Sequence, residues 1–343
     1  MSVERELHAL RTATCVTPGD HVACVKLVGA GAADLLERVS PRALFVRTGK
    51  MSHTLFLDEA ARPLADVYLC CDEDDFFLLA EGMTAAEIIT YLRPHAADLD
   101  VTFDDLTESH AVLSLGGPYA WELLGELTTP DVIGLPYLGF FHAEAFTCFR
   151  GGKTGEYGYD LLVERTRLAA VRAQLADIGA RFDLVESTLA TQDVAQLEAF
   201  FWNARRQSPV GLTPIELQLQ WRVNYGRAFP GAAALAERRT TAHQRAVLLA
   251  SATTLEPGAT LRAGDRTIGT VLDAAFSPTR GDWVGMGMVD RAFAHSSLDL
   301  ASGAAVVHTL SAPSINNRSL HVDPQRHCFA TRATDVFPPL VRG

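Results

Sequence analysis

Apolar positions in this chain fall into short blocks separated by glycine, proline and charged residues, and the spacing inside each block predicts its element. Residues 29–41 read as an amphipathic helix stopped near Pro41. The apolar runs at 54–58, 66–71 and 76–80 read as strands, the first two joined by a loop over 59–65, and 85–92 as a helix stopped by Pro94. A second unit of the same kind follows. It has a strand at 111–115, a helix at 118–126, strands at 144–150 and 158–163, and a helix at 166–178. In 188–201, Leu189, Val194, Leu197 and Phe201 are spaced for one buried helical side. A Gly/Pro-rich segment near 229–233 and the polar stretch 236–245 mark a boundary. Beyond it, short glycine-punctuated strands at 246–250, 260–262, 267–272, 284–289 and 304–310 suggest a compact β domain. No fixed-period repeat is visible.

One tract breaks this pattern, Gly151-Gly152-Lys153-Thr154-Gly155-Glu156-Tyr157-Gly158-Tyr159-Asp160. Its glycines allow a tight backbone path, into which a cation, two acids and two aromatics are set ahead of the apolar run Leu161–Val163. The composition suits a turn feeding a strand whose polar groups face a cavity; it equally suits a solvated hairpin. It is no phosphate loop, because it lacks the Gly-Lys-Ser/Thr ending and precedes a strand-like run.

Composition narrows the classes. A chain of 343 residues, 48% hydrophobic and 21% charged, suits a soluble protein of two or three domains. A net charge of −11 argues against a nucleic-acid partner. Arg205-Arg206 reads as a solvated helix end rather than an anion pocket. The charged opening shows no secretory segment and no run is long enough to span a membrane, so a cytoplasmic protein with no membrane partner is expected. The six cysteines lack Cys-x-x-Cys spacing or companion histidines, so no metal site is expected and the thiols should be reduced and buried.

Five landmarks in register resemble the glycine-cleavage T-protein, or aminomethyltransferase, family. Arg11-Thr12 with His21 and Val25–Gly29 resembles its opening, and Val112–Pro118 its apolar-Gln-Gly-Pro strand end. The 151–160 tract resembles its Thr-Gly-Tyr-Thr-Gly-Glu-x-Gly-Tyr/Phe-Glu segment. Thr213–Glu216, Trp221 and Phe229–Leu235 resemble the approach to its last domain, and Phe276–Gly281 its Phe-Ser-Pro-Thr-Leu-Gly turn. The resemblance implies an α+β fold, a three-domain cloverleaf around a channel, with a C-terminal β-barrel-like domain. The expected division is 1–28 with 108–235, an inserted unit at 29–107, and 236–343.

In that family the channel holds tetrahydrofolate. The resemblance places the pterin-reading acid on Asp160, an aromatic-to-cation exchange on Lys153, and further cofactor contacts on Glu156, Tyr159, Gln196 and Trp221. Glu156 is also read as a loop hydrogen-bonding residue. The family's Asp-Asp pair falls on Ala65-Asp66, and the reading takes the first as the functional carboxylate, lost here, with Asp66 on the opposite strand face. The helix signature Arg-Asp-x-x-Arg becomes Gln192–Gln196, losing both arginines, and a channel tyrosine becomes His53. His53, Asp66 and Lys153 are therefore the catalytic candidates: His53 as a proton carrier or a strand-end packing residue, Lys153 as a partner of Asp160 or of an acidic substrate. The expected function is a divergent tetrahydrofolate-dependent methyl or methylene transferase or demethylase acting on a small molecule, not glycine cleavage itself. Alternatives are a folate-independent rearrangement, cyclisation or hydrolysis on the same scaffold, and a non-catalytic binding or assembly protein.

Overall fold

A computed structural model describes residues 2–208 and 211–342, without the side chains of residues 130 and 131. Among the described residues no helix is long and apolar enough to cross a membrane.

Two sheets and a barrel organise the chain. One sheet has the strand order Val185–Glu186, Cys15–Pro18, His110–Gly116, Gly158–Glu164, Thr147–Arg150, Phe140–His142, antiparallel except for its first pair. The second runs Lys50–Leu57, Pro63–Asp72, Asp75–Glu81, Ala23–Val28, Thr102–Asp105. Strands Gln244–Ser251, Asp282–Asp290, Arg266–Ser277, Thr260–Ala263, Asp299–Ser302 and Ala305–Leu310 close into a six-stranded barrel. The α+β class and the C-terminal barrel stand as expected. Ala23–Val28 does not belong with the first section, however: it pairs with Asp75–Glu81 and Thr102–Asp105, so the middle sheet begins before residue 29.

Each sheet has two apolar faces with different partners. In the second sheet Ala65, Val67, Leu69 and Cys71 pack under the helices Ala32–Val39 and Ala85–Leu92. Those helices carry their own local reasons: Thr84 and Glu87 form a reciprocal capping box at the start of the second. The opposite face turns Tyr68 and Cys70, with Cys24, Met51 and Leu79, onto Val112, Phe149 and Leu162 of the first sheet. The two sheets thus meet face to face, and the first sheet's far side is covered by Ala120–Leu127 and Arg165–Gly179. The site lies where this inter-sheet layer loses its apolar character.

Some boundaries fall elsewhere than the sequence pattern puts them. The strands read at 54–58 and 66–71 become Lys50–Leu57 and Pro63–Asp72, because ladder pairing continues N-terminally through Ser52 and His53 on one strand and Ala65 and Pro63 on the other. The polar stretch read as a boundary is a helix, Ala232–Thr241, anchored through buried Leu235. The Val3–Thr12 helix and several short strands carry too little pattern to be read.

Candidate functional site

The Asp72–Asp75 turn joins two antiparallel strands in a register that sets Asp66 directly opposite Glu81. Two carboxylates facing each other across a ladder repel unless a cation intervenes. Lys153 supplies it: Nζ donates to Glu81 Oε1 at 2.7 Å and lies 3.1 Å from Asp66 Oδ2. The glycine tract delivers this lysine from the other sheet. Gly155 holds a positive φ of 84°, and a Cβ there would lie 2.3 Å from Asn317; a Cβ at Gly158 would lie 2.4 Å from the Gly151 carbonyl oxygen. Tyr68 Oη accepts from Gly152 N–H at 3.2 Å, tying the tract to the second sheet.

Asp66 is fully enclosed. It accepts from Arg222 Nη1 at 2.8 Å and from His53 Nε2 at 2.5 Å. Burial on its own would raise the Asp66 pKa; Arg222, His53 and Lys153 outweigh it and hold the carboxyl well below its usual range. Burial lowers the pKa of His53, whose ring lies against that of Tyr68 with centroids 4.4 Å apart and planes tilted by 30°. A neutral imidazole donating to Asp66 follows. Lys153 is also buried, which would lower its pKa, yet Asp66 and Glu81 overcome this and raise it. Glu81 drops to about 2 despite burial, through Lys153, His21 and Arg205. Arg205 bonds Glu81 at 2.9 Å and also Asp193, and Arg206 bonds Asp273. Three cations, Lys153, Arg205 and Arg222, therefore balance three carboxylates, Asp66, Glu81 and Asp193.

A cavity with about 60 Å³ of free space adjoins this network, lined by His21, Glu81, Lys153, Ser114, Asp160 and Gln196 among others. Asp160 sits opposite Ser114 in the ladder and accepts its hydroxyl proton at 2.6 Å. Burial raises its pKa, only partly offset by that hydrogen bond. Gln196 Oε1 is buried and has no partner among the described residues. The cavity thus presents two acceptor groups, a carboxyl and an amide oxygen, to whatever enters.

Several expectations change. Ala65 does not mark a lost site carboxylate: it packs in the helix-side core, and alternation turns Asp66 to the site. Lys153 pairs with Asp66 and Glu81, not Asp160. His53 lies behind Asp66 and does not border the cavity; it is a partner of the carboxylate rather than a group facing a channel. Glu156 does not border the cavity. It bonds Arg11 at 3.2 Å and Ser319 Oγ at 2.7 Å, on the side away from the cavity. Tyr159 borders the cavity but is packed among Leu161, Val163 and Leu115 on the helix side. Trp221 is 59% exposed and lines a different cleft. Of the Arg205-Arg206 pair in the short helix Ala204–Gln207, Arg206 is exposed as expected, whereas Arg205 is drawn into the ion network with Glu81 and Asp193. Sequence reading missed Glu81 and Arg222. The hairpin centred on 73–74 would have placed Glu81 opposite Asp66; nothing local pointed to Arg222. Among the described residues no cluster of three or more His, Cys, Asp or Glu side chains is arranged to hold a metal.

The fold is a mixed one with a closed C-terminal barrel, and its cavity, lined by Glu81 and Asp160, lies between two sheets. The GCVT N-terminal domain matches residues 1–227 and the glycine cleavage T-protein C-terminal barrel domain matches 244–306. The chain belongs to the glycine-cleavage T-protein family. It is 28% identical over 306 residues to the aminomethyltransferase of Mycobacterium leprae (strain Br4923), covering 83% of this chain and 80% of that protein. It is 26% identical over 324 residues to the aminomethyltransferase of Saccharopolyspora erythraea (90% and 88% covered). The glycine cleavage system aminomethyltransferase T of Bartonella henselae superposes with a TM-score of 0.80 at 23% identity, over 91% of this chain and 89% of that one. The last likeness shows the fold.

Proposed function

We propose that this protein is a one-carbon transferase of aminomethyltransferase type that uses tetrahydrofolate and acts on a small molecule. The observation that carries this reading is Asp160. It is a half-buried carboxyl lining the cavity together with the unpartnered Gln196 Oε1, and the two offer acceptors to the amino and ring N–H edge of a pterin. These polar groups fit the cofactor. The about 60 Å³ now free is smaller than small-molecule sites of roughly 300 Å³ or more, and Lys153 is one of the groups that wall it in. In this reading a pterin enters as the wall opens, and Lys153, held by Asp66 and Glu81, is the side chain that would move.

When bound, tetrahydrofolate supplies nitrogens that accept or release a one-carbon unit. The chain's own residues do the rest. Asp160 orients the pterin edge. Asp66, kept ionised by Arg222 and His53, stabilises positive charge where Lys153 Nζ now lies. Buried walls exclude water from a reactive carbon. Ala65 gives no reason to set aside aminomethyl transfer, since it faces away. What separates this site from that reaction in our reading is Lys153 at the central carboxylate and the neutral Gln192 and Gln196 on the Leu189–Glu198 helix. Family membership and an acid-lined cavity also favour an enzyme of the cytoplasm over an assembly protein.

A second reading has one observation of its own: the Lys153 bridge leaves the centre charge-balanced and nearly filled. That suits a folate-independent enzyme on the same scaffold. Calorimetric titration with tetrahydrofolate separates them. The first reading expects saturable micromolar binding, weakened by about 1.5–3 kcal/mol in Asp160→Ala, and retained or tightened in Lys153→Met. Absence of binding near a millimolar in both the wild type and Lys153→Met moves the function to the second reading.

A further inference from the structure

Arg222 joins the central network to a second cavity. It reaches Asp66 on one side, and on the other it lines a cleft of about 470 Å³ between the 199–222 segment and the barrel. The cleft walls include Phe200, Phe201, Trp202, Trp221 and His295. Two of its buried donors are unused: Arg222 Nε and Trp202 Nε1 have no partner among the described residues, although these residues are 1% and 2% exposed. A buried N–H left unpaired is costly and calls for an explanation. Backbone strain gathers in the same wall, since Phe200 and Gln218 both hold φ of 60°, unusual for residues with large side chains.

We infer that this cleft is a binding site for a flat, uncharged aromatic molecule carrying an acceptor oxygen. Phe200, Phe201 and the half-open Trp221 supply ring faces, and the guanidinium of Arg222 already lies 4.8 Å from the Trp221 ring centre. Arg222 Nε–H and Trp202 Nε1–H each take a carbonyl or ether oxygen. Charge decides against a carboxylate. Arg222 is already committed to Asp66 in a network whose cations and carboxylates balance, so an anion would enter uncompensated. The site is distinct from the Asp160 cavity, and the assignment holds whether or not tetrahydrofolate enters there.

Acetophenone and benzoate are the probes, one a neutral carbonyl and the other its charged counterpart, each titrated into the full chain by calorimetry and by saturation-transfer NMR. Acetophenone binds saturably and at least tenfold more tightly than benzoate. Trp202→Phe, which keeps a buried ring but removes the N–H, weakens acetophenone about three- to tenfold, within the range for one neutral hydrogen bond. Trp221→Ala, a change at a half-open surface, weakens it by a similar factor without altering thermal unfolding. Arg222→Met abolishes binding. Tetrahydrofolate does not displace the probe. The inference is overturned by absence of acetophenone binding at 10 mM, by equal affinity for benzoate, by an unchanged affinity in Trp202→Phe, or by displacement with tetrahydrofolate, which would make the cleft part of the cofactor's route.

Discussion

Two buried ion clusters in this protein differ in how completely they are satisfied, and that difference separates a clamp from a site. Around Arg11 every guanidinium nitrogen is used: Nε and Nη2 donate to Glu198, Nη2 also to the Ala195 carbonyl, and Nη1 to Thr154, Glu156 and Asn317. Glu156 in turn accepts from Arg318 N–H and from both Ser319 donors. This cluster pins the Val3–Thr12 helix, the glycine tract, the Leu189–Glu198 helix and the C-terminal segment together, leaving no acceptor or donor of Arg11 or Glu156 for a ligand. Around Asp66 the charges also balance, but buried polar atoms lack hydrogen-bond partners among the described residues: Asp66 Oδ2 at the centre, Gln196 Oε1 on one side, Arg222 Nε and Trp202 Nε1 on the other. Saturation gives rigidity; the unpaired edge is where a small molecule gains hydrogen bonds it would not gain elsewhere.

The largest effect is expected away from both clusters. Ala65→Asp places a carboxyl in the helix-side core of the second sheet, among Phe56, Val67 and Leu69. It should cost about 4 kcal/mol or more, or prevent folding, as buried unpaired charge does. Denaturant unfolding measures this. A tolerated, active Ala65→Asp would show that this strand face reaches the site after all.

Next in size, Arg11→Met should destabilise by about 3–5 kcal/mol by stranding Glu156 and Glu198, while leaving ligand affinity of the folded protein unchanged. Calorimetry beside urea unfolding separates the two quantities. Altered affinity at equal folding would erase the distinction between clamp and site.

Glu81 sharpens the comparison through pH. Its native pKa of about 2 lies below its ordinary 4.5. The stability it contributes is therefore fully present above about pH 4.5 and disappears as pH falls toward 2. That contribution is about 3 kcal/mol. Glu81→Gln should lose a comparable amount at neutral pH and show a shallower decline of stability across that window. Parallel acid-unfolding curves for variant and wild type would remove Glu81 from the network.

Asp160 should give the smallest stability effect and the opposite sign. Its native pKa is raised above 3.8, so ionisation opposes folding and stability falls as pH climbs from 3.8 through the native value. Asp160→Asn keeps an acceptor for Ser114 and removes that penalty. It should melt slightly higher than wild type at pH 8, with the difference shrinking toward pH 4. A variant less stable at every pH would mean that the carboxylate is held by charge, like Asp66.

The sequence by itself determined a good deal. Periodicity and turn residues identified the longer helices and strands, and five ordered landmarks identified the family. Lys153, Asp160 and Gln196 could be marked because the glycine tract and the helix signature name their positions. Period-two alternation also showed that Ala65 and Asp66 face opposite ways. Which face looks into the site was decided only by packing: the helices 32–39 and 85–92 cover Ala65, and the first sheet's tract meets Asp66. Likewise, Glu81 comes 15 residues after Asp66 and Arg222 comes 156 residues after it. Electrostatic partnership depends on distance through space, and chain order carries almost none of that until the sheets and the barrel have closed around the same few carboxylates.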